Sequence, residues 1–470
     1  MKILFTNSPL NFTHGHTFTQ ADWQTLVLPL LAAIADPKKH DIRLVDNMTL
    51  WFKSNQILSQ IHDFNPEIVG FSVIAGRDIY NTIRVIKEVR QQFPKIILIA
   101  GGQGGSFYDD LLLEAGINFV VRGEGEITLS ELIQAIGSGV SDYSSIQGIS
   151  YLENGIVKRT DKRPRIKNLD DSPFPAIHLM PMRKSKWFTG RFTGSIETSR
   201  GCPFDCNFCA ITSFYERSYR EKTNDRLIEE IKFLVHNGRS HLYLADDNFG
   251  MNVRKHIDLF ERILSEGLDI RFFAQMRTDT IAQNQEMVTL AAKAGLYGAL
   301  IGFDTYDKET FHHIAKKGSI ELNQKCSEVL RKNNIMIFGS HIYGLPSQKR
   351  PLDFNRTFWV GRRNSDLFRM PHFSLLPGTV AHGKMITKEA VDSADGNDDA
   401  RLFIRSKEEQ KQFKRWYIIF NLSHIFLPDE IIKAIFHPKK SIRKIKQYGY
   451  IGIFRHYLYR ILRKLKLCDI

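Results

Sequence analysis

The sequence predicts an α/β protein in which a Rossmann-like parallel-sheet domain precedes a partial (β/α)6 TIM-like barrel and a basic helical C-terminal region. Short apolar runs alternate with helix-period segments through residues 1–150, and a second series of the same kind occupies residues 191–380. Because alternating strands and helices build parallel sheets covered on both faces, each series predicts its own sheet. The chain length of 470 residues also favours more than one domain.

The first series predicts a doubly covered sheet with its ligand-binding edge beyond the C-terminal ends of the strands. Its strand candidates are residues 2–6, 41–45, 68–73, 96–100 and 118–121, and its helix candidates are residues 24–35, 55–63, 77–92, 107–115 and 126–136.

The loops at that edge are rich in glycine. One loop begins at Ser72, another contains Gly101, Gly102 and Gln103, and a third spans residues 122–126. Glycine lets the backbone approach a bulky ligand closely, so the loops are candidates for a binding surface. Tight turns between strand and helix, which also need glycine, are the alternative.

Residues 151–190 contain four prolines and predict a hairpin followed by an extended linker. The second series then supplies six strand candidates, which predict an open barrel rather than a closed eightfold one. The strands are residues 193–198, 241–245, 271–275, 297–301, 336–343 and 373–376, and the helices are residues 224–237, 254–266, 284–294, 320–333 and 352–364. Residues 381–470 form the basic helical region.

The net charge of +14 is concentrated in that last region, where residues 431–468 hold eleven Lys or Arg and no Asp or Glu. Apolar and basic residues are mixed there at helical spacing, which is typical of helices that contact anionic lipid. A packed lid helix with a solvated basic face is the alternative. Nucleic acid is a less favoured partner, because no RNA-binding module is recognisable.

The sequence contains no apolar run long enough to span a membrane and no secretory signal at its beginning. We therefore expect a cytoplasmic protein, with membrane association at the inner face through the basic region as the accompanying hypothesis. The five cysteines also suit a reduced compartment, because three of them lie within eight residues.

Those three are Cys202, Cys206 and Cys209, in a Cys-x3-Cys-x2-Cys pattern after the first predicted barrel strand. Thiolates are the usual ligands of iron–sulfur clusters, and three of them leave the fourth iron of a cubane open to a substrate. Zinc and electron-transfer ferredoxins both require a fourth ligand. Only Cys326 and Cys468 remain, so the pattern favours an open cluster.

This spacing, with the aromatic Phe208 before the third cysteine, resembles the signature of the radical S-adenosylmethionine (SAM) enzymes. The resemblance implies that the cysteines hold a [4Fe-4S] cluster and that the open iron binds the amino and carboxylate groups of SAM. Reduction of the cluster then yields a 5′-deoxyadenosyl radical. It also implies an electron donor such as flavodoxin or ferredoxin, and a place for Phe208 beside the cluster or the nucleotide.

Three further barrel-strand ends resemble SAM-binding segments of that family. Asp246, Asp247 and Asn248 are implied contacts of the methionyl amine, although acids at a strand end also cap helices. Arg277 is implied near the methionyl carboxylate or the ribose, with a surface arginine as the alternative. Asp304 occupies the fourth strand end, where relatives often carry glutamate.

The first half of the chain resembles the cobalamin-binding subfamily of these enzymes, through residues 66–72, 100–103 and 121–126. The implied cobalamin contacts lie in the glycine-rich loops: Ser72, Gly101, Gly102, Gln103, Gly123 and Glu124. The Asp-x-His-x-x-Gly motif that supplies a lower histidine ligand in other corrinoid proteins is absent. His14 and His16 are the candidates that would replace it.

The resemblance implies methyl transfer to an unactivated carbon of a small molecule. The apolar and basic C-terminal region suggests a hydrophobic substrate, such as a lipid or a tetrapyrrole. Two alternatives remain open at this point: a radical cyclase or oxidoreductase on the same scaffold, and a non-catalytic iron–sulfur or corrinoid carrier.

Overall fold

The computed structural model describes residues 1–7, 24–46, 54–74, 79–185, 189–345, 347–385, 412–413 and 415–417. His14, His16 and nearly all of the basic C-terminal region lie outside these residues, so the predictions made for them remain predictions. Within the described ranges, no helix combines the length and the apolar character needed to cross a membrane.

The first sheet has seven strands in the order β2-β1-β3-β4-β5-β6-β7, and β1 to β5 run parallel. The strands are β1 (Lys2–Asn7), β2 (Asp41–Val45), β3 (Ile68–Ser72), β4 (Ile97–Gly101), β5 (Phe119–Val121), β6 (Ile149–Glu153) and β7 (Ile156–Arg159). The apolar runs of β1 and β3 are buried because helices cover both faces of the sheet.

Those helices follow the predicted alternation with small shifts of their ends. They are α1 (Val27–Ala35), α2 (Ser54–Phe64), α3 (Ile79–Gln92), α4 (Gly102–Phe107), α5 (Asp109–Glu114) and α6 (Glu126–Gly137). One apolar core lies between the sheet and α2, α3 and α5, and the other lies between the sheet, α1 and α6.

The segment around Gly102 differs from the prediction, because the glycine-rich loop begins a helix instead of a turn. Gly102 has a φ of +84°, and an added Cβ would lie 2.8 Å from the carbonyl oxygen of Val73. A Cβ on Gly104 would lie 2.6 Å from the Val73 side chain. The glycines therefore let α4 pack directly on the backbone that follows β3. The predicted helix 107–115 is accordingly divided at Tyr108.

The predicted hairpin is part of the first sheet. Its strand β6 pairs antiparallel with β5 and with β7, so the sheet extends to Arg159. Two short 3-10 segments, Leu169–Asp171 and Ile177–Leu179, interrupt the connection that follows.

The second sheet is an open barrel of six parallel strands in the order β15-β14-β13-β12-β11-β8. A separate antiparallel pair, β9 with β10, follows its first strand. The strands are β8 (Thr193–Ile196), β9 (Ser199–Gly201), β10 (Tyr219–Glu221), β11 (His241–Leu244), β12 (Arg271–Met276), β13 (Leu296–Asp304), β14 (Met336–His341) and β15 (Leu367–Arg369).

Helices cover the outer face of this sheet. The helices of this part of the chain are α7 (Ala210–Phe214), α8 (Asn224–His236), α9 (Val253–Ser265), α10 (Thr278–Gln283), α11 (Gln285–Lys293), α12 (Lys308–His313), α13 (Ile320–Lys332), α14 (Asn355–Asn364) and α15 (Val380–Met385). Side chains alternate along each strand. Leu242, Phe272 and Ile337 pack against the helices, whereas the neighbours Phe273 and Phe338 fill the lower lumen.

The prediction of the sixth barrel strand at residues 373–376 is wrong, because the strand is β15 and ends before Pro371. Proline lacks the N–H that would continue the ladder. Beyond it the chain still follows the fifth strand end, since Phe373 N donates to the carbonyl oxygen of Tyr343 over 2.7 Å. A strand of three residues is too short to show a period in the sequence.

His341, at the end of β14, predicts an acid-sensitive fold. Its ring is buried, with ring centroids 5.5 Å from Phe303 and 4.6 Å from Phe368, and burial lowers its pKa to about 3. The unfolded histidine titrates near 6.5, so its contribution to stability is complete above that pH and is lost as the pH falls toward 3.

We expect His341→Phe to keep the aromatic stack and to weaken this pH dependence. The free energy of unfolding of the variant should fall less between about pH 7 and about pH 5, by about 2 kcal/mol, in urea denaturation followed by circular dichroism. His62→Gln, at an exposed position, is the control. The same pH dependence in His341→Phe and the parent protein would contradict the assignment.

Candidate functional site

The loop that carries the three cysteines is closed by the β9–β10 pair. Gly201, the residue before Cys202, has a φ of +84°, and a Cβ there would lie 2.2 Å from the carbonyl oxygen of Ser218. Only glycine fits this close approach. The pair was not predicted, because two polar strands of three residues leave no periodic signal.

The three cysteine thiols are partly buried and lie close enough for each to act on the charge of another. Burial raises the pKa of all three, while Arg277 opposes this shift at Cys202 and Cys206. Backbone N–H groups at the start of α7 favour the thiolate of Cys209 in the same way.

This arrangement suits a cluster better than a single ion. A cubane binds each thiolate at a different iron, so its ligands are spread around several atoms. The donor set of three thiols on one loop therefore fits a [4Fe-4S] cluster.

The acids at the end of β11 hold the cysteine loop. Asp246 is fully buried and accepts hydrogen bonds from Thr198 N over 2.8 Å and from Ser199 Oγ over 2.6 Å. Asp247 accepts from Gly201 N over 3.1 Å. Burial raises the pKa of Asp246 to about 6 and that of Asp247 to about 7. Both side chains thus face the strand that precedes the cysteines.

Asn248 contacts the cysteine loop directly. Its Nδ2 lies 3.7 Å from the Sγ of Cys202. Its Oδ1 is buried and has no hydrogen-bond partner among the described atoms. A buried acceptor without a partner is costly, so Asn248 has capacity to bind a ligand.

Arg277 is held at the third strand end by its own neighbours. Its Nη2 lies 2.9 Å from Asp279 Oδ2 and donates to the carbonyl oxygen of Lys317 over 2.9 Å. The guanidinium carbon lies 3.5 Å from the ring centroid of Phe204, which belongs to the cysteine loop. The predicted residue therefore lies beside the loop, with much of its hydrogen-bonding capacity already used.

The fourth strand end carries an ion pair. Asp304, with a φ of +58°, pairs with Lys316, which also donates to the carbonyl oxygen of Gly302. Both charges act on Cys206. Phe208 packs against an apolar cluster that includes Ile342 and completes this side of the site.

A cavity of about 420 Å³ lies between the first sheet and the barrel. Every residue predicted to contact cobalamin lines it: Ser72, Gly101, Gly102, Gln103, Gly123 and Glu124. Apolar residues of α1, among them Val27 and Leu30, form another wall. Phe214 and Tyr215 reach the same cavity from the end of the cysteine loop. The cavity therefore offers room beside the glycine edge and contact with the cluster loop.

An ion cluster that the sequence did not predict closes the junction between the two sheets. Arg200 is 5% exposed and donates to Glu124 over 3.2 Å, to Glu126 over 2.6 Å and to Glu197 over 2.8 Å. Arg220 adds a second pair to Glu124 at 2.8 Å. Glu124 and Glu126 belong to the glycine-rich loop of the first sheet. Their partners Arg200 and Arg220 follow β8, the first strand of the barrel.

The pKa values of Glu124 and Glu197 are shifted in opposite directions within this cluster. Burial raises the pKa of Glu124, but hydrogen bonds from Arg220 have the opposite effect. The pKa of Glu124 therefore lies below its ordinary value. Burial raises the pKa of Glu197 despite the nearby Arg200. Since both oxygens of Glu124 accept from guanidinium groups, the carboxylate predicted as a cobalamin contact is engaged in joining the domains.

Comparison with known proteins agrees with this geometry. Residues 19–133 match the B12 binding domain and residues 196–350 match the radical SAM superfamily. The chain is 30% identical over 318 residues to an uncharacterized methyltransferase of Pyrococcus horikoshii, covering 67% of this chain and 68% of that protein.

Two other relatives are each 28% identical. The anaerobic magnesium-protoporphyrin IX monomethyl ester cyclase of Rubrivivax gelatinosus is matched over 74% of this chain and 63% of its own length. The hopanoid C-3 methylase of Methylococcus capsulatus is matched over 67% and 60%. The matched region thus spans less than two thirds of these two proteins.

The fold is similar to the solved structure of the radical SAM methyltransferase TsrM from Kitasatospora setae with cobalamin and a [4Fe-4S] cluster bound. The TM-score is 0.65 at 16% identity, over 85% of this chain and 84% of that one. The chain belongs to the radical SAM superfamily, in the branch with an N-terminal B12-binding domain. It is an enzyme whose cofactors are a [4Fe-4S] cluster, SAM and cobalamin.

The ion cluster predicts a large effect of Arg200→Met. The variant leaves Glu126 and Glu197 buried without their partner, which costs about 3–5 kcal/mol of unfolding free energy for a broken buried pair. Thermal unfolding followed by circular dichroism measures the loss. The control is Arg191→Met, whose exposed pair with Asp269 at 3.0 Å contributes about 0–1 kcal/mol. Equal losses in the two variants would contradict the role of the cluster.

Proposed function

We propose that this enzyme transfers a methyl group from cobalamin to an unactivated carbon of a small, hydrophobic molecule. The main support for this proposal is the shared cavity, because the glycine edge of the first sheet and the end of the cysteine loop line the same space. When bound, the cluster supplies the electron that cleaves SAM to a 5′-deoxyadenosyl radical, and cobalamin supplies the methyl group.

In this proposal Cys202, Cys206 and Cys209 hold the cluster, and Asn248 receives the SAM amine. An ammonium is a donor, so it would satisfy the buried Oδ1 of Asn248. Asp246 and Asp247 act as positioning residues, since their oxygens accept from the residues that precede the cysteines.

Arg277, Asp304 and Phe208 surround the cysteine loop from the other side. Arg277 contributes positive charge near the methionyl carboxylate while Asp279 orients it. We assign Asp304 a role through Lys316, because its carboxylate is paired. Phe208 excludes water from the cluster through its apolar neighbours.

The first sheet holds the corrinoid at its C-terminal edge. Gly101, Gly102 and Gly123 let the backbone approach it, while Ser72 and Gln103 present polar atoms to the same cavity. Leu26, Leu30 and the other apolar residues of the α1 wall shield it from water. The cofactor performs the methyl chemistry, and the protein orients and encloses it.

The names of two relatives bear on the substrate. A hopanoid methylase and a magnesium-protoporphyrin ester cyclase both act, by name, on large apolar molecules, which supports a lipid or tetrapyrrole substrate. The cyclase also keeps radical cyclisation as a second candidate function. Reduction by flavodoxin or ferredoxin, and membrane contact through the basic C-terminal region, complete the proposal.

Anaerobic reconstitution with iron, sulfide, SAM and hydroxocobalamin tests the activity. Formation of 5′-deoxyadenosine after chemical reduction supports radical chemistry, and transfer of label from methyl-labelled SAM to a product distinguishes methylation from cyclisation. A reconstituted protein that binds the cluster and the corrinoid but does not cleave SAM would be a carrier, and the proposal would fail.

We expect Cys202→Ala, Cys206→Ala and Cys209→Ala each to abolish 5′-deoxyadenosine formation and to lower the bound iron. Removing one of three ligands exposes the cluster to loss. Cys326→Ala is the matched control, because Cys326 is a free, buried cysteine of α13. Iron content and the visible absorption of the cluster provide the measurement. Full iron content in a loop variant would refute that ligand.

Leu30→Trp should reduce corrinoid binding, because the indole fills the cavity from the α1 wall. We expect the corrinoid retained after gel filtration to fall at least several-fold, with the iron content unchanged. Leu264→Trp, on the exposed face of α9, is the control. Unchanged corrinoid retention in Leu30→Trp would place the corrinoid elsewhere.

A further inference from the structure

The side chains on the lumen face of the barrel are aromatic and apolar in the lower layer and polar in the upper layer. In the lower layer, Phe273, Phe338 and the partly buried Leu367 pack together. Two residues further along each strand, side chains return to the lumen face, because the period of a strand is two. On β14 and β15 these residues are Ser340 and Arg369, and the two are register partners.

The same upper layer continues across the sheet toward the cysteine loop. Gly302 of β13 is the register partner of Ser340, and an added Cβ on Gly302 would lie 3.2 Å from Lys316 Nζ. Lys316 in turn acts on the charge of Cys206. The layer therefore leads from the cluster loop to Arg369 at the open edge of the barrel.

Arg369 has hydrogen-bonding capacity that the fold does not use. Among the described residues, its Nε is buried and has no hydrogen-bond partner. Its side chain is only partly exposed, and the phenols of Tyr243 and Tyr417 act on its charge. An enclosed charge without a counterion is unfavourable, so packing alone does not account for it.

Arg369 is also distinct from the residues that enclose the proposed corrinoid site. It does not line the cavity between the sheets, whereas Tyr243 does. Tyr243 accepts a hydrogen bond from Gln275 over 2.7 Å, and its phenol also acts on the charge of Arg369. By the period of β15, Arg369 lies on the same lumen face as Leu367, so its unpartnered Nε is available to a molecule bound in the lumen.

We propose that Arg369, assisted by the hydroxyl of Ser340, binds an anionic group of the substrate, so that the substrate is an apolar molecule with a carboxylate or a phosphate. The guanidinium offers a planar fork that matches either anion bidentately. The aromatic layer below contacts the apolar body. This inference rests on the proposed radical activity and names the chemical class on which that activity operates.

The test uses the reconstituted holoenzyme and three probes with the same chain: octanoate, octyl phosphate and octanamide. Isothermal titration should detect the two anions and a roughly ten- to hundred-fold weaker affinity for the amide, as expected for charged hydrogen bonds. Tighter binding of octyl phosphate indicates a phosphate substrate, and tighter binding of octanoate indicates a carboxylic acid. Equal binding of the amide, or no binding of either anion, overturns the proposal.

Arg369→Met should lose the preference for the anions while keeping or raising the melting temperature, because it removes an unpaired charge. Arg356→Met, at an exposed position of α14, is the matched control and should bind as the parent does. Unchanged anion affinity in Arg369→Met overturns the assignment, as does a loss of folding in that variant without recovery in Arg369→Lys.

The outcome is separable from that of the proposed function. Arg356→Met, the exposed control on α14, should form 5′-deoxyadenosine as the parent does, and the parent enzyme itself reports the radical activity. If the parent enzyme forms none, the radical activity fails while anion binding stands or falls by titration. If the parent is active but Arg369→Met binds octanoate normally, only the substrate assignment fails.

Discussion

The buried ion cluster around Arg200 is the constraint on which the arrangement of the two sheets depends. One guanidinium satisfies carboxylates from the glycine-rich loop and from its own strand end, at distances between 2.6 and 3.2 Å. Its next-but-one neighbour is Cys202. The residue that joins the domains is therefore continuous with the loop that holds the cluster, and movement of one sheet would displace the other.

The acids at the end of β11 also hold the cysteine loop in place. Asp246 and Asp247 accept hydrogen bonds from the residues before the cysteines, whereas the buried Oδ1 of Asn248 has no partner among the described residues. Such division between positioning and binding residues is common where a site must be rigid before its ligands arrive. Burial raises the pKa of both acids, and the hydrogen bonds from Thr198, Ser199 and Gly201 oppose that shift.

Much of the fold was predictable, because buried parallel strands such as β1 and β3 are continuous apolar runs and local motifs such as the cysteine loop need no partner elsewhere in the sequence. The sixth strand was misplaced, since three residues ending before Pro371 carry no period. The pairing of Arg200 with Glu124 and Glu126 was not predictable. Contacts between domains depend on how the sheets dock, and no spacing in the sequence encodes that.

The aromatic layer formed by Phe273, Phe338 and their neighbours affects how molecules enter and leave the barrel. Because these rings fill the lower lumen, a molecule in the upper lumen cannot leave through that end of the barrel. Exchange of substrate for product therefore takes place on the side of the cysteine loop, where the strands end.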